Sequence, residues 1–93
     1  AVAYNRPNTV RQIEELSKVW RNNFVGMSKE SLCDKAVQLT SENMQDMNWD
    51  PNDIDGATWF LGIYTRVILK SGLINATFHD IMSNCMMRYF NGM

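Results

Sequence analysis

No stretch of this 93-residue chain approaches the run of about 18 apolar residues that a membrane-spanning helix needs. The most apolar segment, Ala57 to Leu69, is interrupted by Thr58, Gly62, Thr65 and Arg66, so no membrane partner is expected. Only two prolines and five glycines punctuate the chain, too few for a turn-rich β fold, and long uninterrupted stretches favour helices. Net charge is −1, so no global field draws the chain onto nucleic acid or an anionic surface. There is one histidine, His79, and there are two cysteines, Cys33 and Cys85, 52 positions apart and outside any CxxC-type pair. Metal sites and histidine-based triads therefore have almost nothing to build on, and no metal, cofactor or catalytic residue is expected.

What is present is ordinary core material. The apolar fraction is 45%, with three Trp, four Phe, three Tyr and seven Met, and 20% charged residues is too few for a solvated, disordered chain. Charge is unevenly spread. Residues 1–29 carry +3, residues 30–55 carry seven acidic groups against Lys35, and residues 56–93 carry +2. An acidic middle can meet a basic partner, and solvated helix faces produce it as readily. Arg6, Arg11, Lys18 and Arg21 form a loose basic series, but Glu14 and Glu15 interrupt it, and nucleic-acid binding is not expected.

Residues 1–8 read as an extended lead-in to a single helical domain over 9–93, all-α, with four helices near 9–25, 28–47, 51–70 and 77–91. Thr9 lies three before Gln12, the spacing of a capping box, and Val10, Ile13, Leu16, Trp20 and Phe24 make one stripe. Gly26 stops that helix. Ser28 caps the next, with Met27 placed to staple against Leu32; Cys33, Ala36, Val37, Thr40, Met44 and Met47 form its inner face. In Trp49-Asp50-Pro51-Asn52-Asp53-Ile54, Asp50 reads as an N-cap with Pro51 at the first helical position, and Trp49 and Ile54 as a hydrophobic staple. The helix that follows is apolar almost all round, as a central, buried helix is, and Gly72 closes it. Thr77, three before Asp80, starts a last helix with Phe78, Ile81, Met82, Cys85 and Tyr89 on its apolar stripe.

The few chemical motifs dissolve on inspection. Asp53-Ile54-Asp55-Gly56 carries part of a calcium loop, but with Gly56 sixth the first and twelfth positions are Pro51 and Gly62, which cannot ligate. His79 falls in the first turn of a helix, where a positive ring is disfavoured. Cys33 and Cys85 could form one long-range disulfide in an oxidising compartment; in a reducing one they are two small buried hydrophobes. Ala1-Val2-Ala3 fits a mature end after signal cleavage or a cytoplasmic start without its Met. The address is periplasmic in the first case if the cysteines pair, and cytoplasmic otherwise. Met87 falls off the main stripe of the last helix and, with Phe90, makes a second apolar strip suited to a dimer or partner contact. Glu42, Asp46, Met87 and Phe90 are the candidate partner-binding residues.

From Leu32 onward the order of features resembles the small helical immunity proteins of type VI secretion, the Tai-type families. The matching pieces are Leu32-Cys33, Phe60-Leu61-Gly62-Ile63-Tyr64, and Thr77-Phe78-His79-Asp80-Ile81-Met82 through Arg88-Tyr89-Phe90. The chain departs by lacking the cysteine usual just before the Leu-Gly and by adding a first helix. The resemblance implies a periplasmic protein that plugs the active site of a toxin enzyme. The expected function is thus a small non-enzymatic binding protein that inhibits or sequesters another protein. The alternative is a helical homo-oligomer holding a small ligand or nucleotide between subunits.

Overall fold

A computed structural model describes residues 6–91. Four helices follow in order: α1 (Arg6–Asn23), α2 (Lys29–Asp46), α3 (Ile54–Ser71) and α4 (Phe78–Asn91), with no strand among the described residues. The all-α, four-helix expectation holds, and its boundaries move at two places. Residues 1–5 of the expected lead-in, and Gly92 at the expected end of the last helix, lie outside the described residues. Arg6 to Asn8, assigned to that lead-in, belong to α1. A residue before proline is biased toward extended backbone, which is why Arg6-Pro7 reads as a lead-in. Pro7 instead falls in a first helical turn, where a missing N–H costs little. Thr9 thus lies inside the helix and is not its N-cap residue.

The second change is at α3. Its N-cap is Asp53, whose carboxylate accepts from the N–H groups of Asp55 (3.1 Å) and Gly56 (3.3 Å). Asp50 holds a separate turn: its side chain accepts from Asn52 N–H at 2.9 Å and its carbonyl from Asp53 N–H at 2.9 Å. Pro51 therefore sits second in a β-turn, a position its fixed φ also suits, and not at the first helical position. No staple forms, because Ile54 is 63% exposed. Trp49 turns inward onto Phe60, ring centroids 5.8 Å apart. A Cβ at Gly56 would lie 2.9 Å from that indole, so glycine is what admits Trp49 there.

The remaining ends follow local rules. Ser31 N–H donates to Ser28 Oγ at 3.1 Å, and Asp80 N–H to Thr77 Oγ1 at 3.1 Å. α2 ends at Asn48, with φ 55°, where Asn48 N–H reaches Gln45 O (3.0 Å) and Trp49 N–H reaches Met44 O (2.9 Å). That pair of bonds is a Schellman closure with asparagine in the left-handed position. Gly72, at φ 71°, ends α3, and Arg21 donates to the last carbonyls, Ser71 O at 3.0 Å and Lys70 O at 3.2 Å.

α2, α3 and α4 each pack against the other two, whereas α1 packs on α3 alone. The all-round apolar character of α3 follows from this central place. Leu32, Met44, Leu61, Val67, Ile68 and Ile81 are fully enclosed. Three expected core positions lie outside: Val10 is 52% exposed, Met47 40% and Phe78 39%. α1 meets α3 through Ile13, Ser17 and Trp20, a line rotated from the expected stripe. Ser17 is buried, donating within α1 to Ile13 O and facing Val67 O at 3.4 Å, so a small side chain lets the helices approach.

Candidate functional site

Because α1 lies on α3 alone, both of its flanks stay open to solvent. On one flank Leu16 and Val19 of α1 face Trp59, Phe60, Ile63 and Tyr64 of α3. Between them runs a groove of about 440 Å³, closed at its α2 side by Asn43 and edged by Gln12 and Glu15. That volume lies within the range of ligand-binding clefts.

Helical spacing builds the floor. Trp59 and Ile63 are one turn apart on the side of α3 that α1 leaves half-covered, and Val19 stands 49% exposed above them. A ring network fixes the floor from below. Trp59 meets Phe60 edge-on with centroids 4.9 Å apart, and Trp20 stacks on Tyr64 at 6.1 Å and 22°. Asn43 Nδ2 donates to Leu39 O at 2.9 Å and to the Tyr64 hydroxyl at 2.6 Å, tying α2 to the groove wall. Burial raises the Tyr64 pKa above its ordinary value; the Asn43 hydrogen bond opposes that rise and the Glu42 charge adds to it.

The rim is acidic. Glu15 lines the groove from α1, and Glu42 on α2 is close enough for its charge to act at the Tyr64 phenol. Asp46 follows Glu42 by one turn, and Asp55 precedes Trp59 by one turn on α3; all four carboxylates are exposed. Three described cations lie elsewhere. Lys35 stands 5.9 Å over the Phe24 ring. Arg66 and Lys70 line a second hollow of about 300 Å³ with Val10, Ile13 and Leu69 on the opposite flank of α1. There Arg66 lies 5.2 Å over the Phe78 ring and Lys70 pairs with Glu14 at 3.5 Å.

The candidate partner residues lie on two helices, Glu42 and Asp46 on α2 and Met87 and Phe90 on α4. Glu42, one turn before Asp46 on α2, is close enough for its charge to act on Tyr64 in the groove wall. Met87, 61% exposed, and Phe90 are on α4, which does not line it. Next to Met87, Arg88 pairs with Asp34 at 2.7 Å. Phe90 is half-buried, edge-on to Tyr89 at 5.0 Å, and the Tyr89 hydroxyl donates to Pro51 O at 2.7 Å.

Of the two readings of the cysteines, the disulfide is not formed: Cys33 and Cys85 are free, fully buried thiols, and their sulfurs are not at bonding distance. They meet between α2 and α4, where the hydrogen bond to Cys33, then burial, push the Cys85 thiol above its ordinary range. Both act as small core side chains. Among the described residues no three His, Cys, Asp or Glu side chains gather where they could hold a metal ion, and His79 is exposed on α4.

Sequence reading missed Trp59, Ile63, Leu16 and Val19 as a surface. The one signal was α3 itself, apolar over more of its circumference than its neighbours cover. No family model, curated protein or solved structure matches the chain.

Proposed function

We propose that this chain is a small, non-enzymatic helical module that binds a partner protein through the α1–α3 groove and inhibits or sequesters it. The observation that carries the reading is the groove: an aromatic and aliphatic floor, held by buried rings and left open beside a helix that packs on one neighbour only. Exposed apolar surface of this kind, rimmed by polar groups, marks interaction sites. Neutralisation of a toxin enzyme is the sharpest form of the reading, and it draws on the Tai-type resemblance of residues 32–93.

The test is affinity capture from the native host with three baits: wild type, Ile63→Glu and Met87→Glu. A protein retained by wild type and by Met87→Glu but lost with Ile63→Glu supports the groove, provided circular dichroism shows Ile63→Glu folded. Equal retention by folded Ile63→Glu would overturn it.

A second reading, a homo-oligomer with a small ligand or nucleotide between subunits, draws on the opposite flank. Arg66 and Lys70 beside an apolar hollow suit an anion with an apolar body. A monomeric mass at high concentration, with no thermal shift from nucleotides, would remove it.

A further inference from the structure

Resting on the groove as the docking site, we infer that its occupant is a basic amphipathic helix of the partner, apolar residues in the groove and Lys or Arg along its edges. The form follows from what the surface offers. The described residues contain no strand, so no sheet edge is available for an extended peptide to join. Recognition has to run through side chains. Two helices flank the groove, and its α1 wall runs from Gln12 to Val19, about 10 Å or two turns at helical rise. Anchors spaced i, i+3 or i+4, and i+7 on an incoming helix match that length.

Charge selects the sign. Glu15 lines the groove from α1, the Glu42 charge on α2 acts on Tyr64 in its wall, and among the described residues no cation lines it. Arg11 lies one turn before Glu15, further round the solvent face of α1. Lys18, Arg21 and Lys70 edge the opposite flank, and Arg66 stands over Phe78. An acidic edge around an apolar floor repels an acidic segment and attracts a basic one, which sets specificity and association rate more than affinity. A neutral apolar helix would leave the carboxylates without partners at the closed interface.

Two designed peptides test this. Both carry the same Leu face at i, i+4 and i+7 and are matched for helicity, one with Lys and one with Glu at every other position. Binding is measured by titration calorimetry at low salt. The Lys peptide is expected to bind at least about tenfold more tightly than the Glu peptide, with affinity falling as salt rises. The triple variant E15Q/E42Q/D55N should lose most of that preference. The control triple E14Q/E30Q/D80N, identical in net charge, should keep it, and Ile63→Glu should bind neither peptide. Equal binding of the two peptides, or equal loss in both triples, would overturn the inference. So would failure of both peptides while the host partner is still captured through Ile63. That last result leaves partner binding standing, whereas Ile63-independent capture removes both.

Discussion

Tyr64 is where the core, α2 and the groove meet. Its ring stacks on Trp20 and its hydroxyl accepts from Asn43. Burial, with the Glu42 charge adding to it, raises its pKa above 10.0, and burial likewise raises that of Tyr89. A raised pKa means that the folded chain holds the proton more tightly than the unfolded one. The resulting stability is fully present below the unfolded value and is lost as pH climbs through the folded one. Denaturant unfolding should therefore show a decline that steepens above about pH 10, beyond the earlier loss expected from the Cys85 thiol, whose pKa is also raised. Tyr64→Phe should cost about 1 kcal/mol at pH 8 through the lost hydrogen bond and flatten the alkaline decline. An alkaline limb unchanged in both Tyr64→Phe and Tyr89→Phe would show that these phenols do not set it.

At the scale of the element, the caps divide into those that local chemistry decides and one that it does not. Asp53 accepts the N–H groups that open α3, while Asp50 holds the exposed turn before it. Asp53→Ala should cost about 1 kcal/mol by chemical denaturation and Asp50→Ala only a few tenths. The reverse order would place the cap at Asp50. The two acids were indistinguishable in sequence because Asp-Pro opens a helix and a β-turn equally well, and Trp49 decides between them by turning inward onto Gly56 and Phe60. Ser28, Thr77 and Gly72 were legible because hydroxyl caps and a left-handed glycine act within four residues of themselves. The α1 stripe was legible only in part. Ile13 and Trp20 were placed correctly, but the axis of contact passes through Ser17, and a polar residue gives no apolar signal. Val10 consequently turns outward. The groove was out of reach for a different reason: Leu16 and Val19 join Trp59 and Ile63 across about forty residues of chain.

For the whole molecule, the decisive asymmetry is that α2, α3 and α4 support one another while α1 rests on α3 alone. A helix held by one neighbour opens at lower free energy than the mutually packed three, so α1 should unfold locally while the rest stays closed. Native-state hydrogen exchange should show weaker protection over residues 9–23 than in the centres of α2 and α3. Trp20→Ala should speed exchange in α1 more than elsewhere, since Trp20 carries much of its buried contact. Uniform protection across all four helices would instead mean one cooperative unit. The asymmetry also bears on binding, because α1 forms one wall of the groove: whatever fills the groove touches both α1 and α3 and adds contacts that the isolated chain lacks. A bound partner should therefore slow exchange in α1 more than in α4. Slowing confined to α4, around Met87 and Phe90, would move the docking surface to that helix.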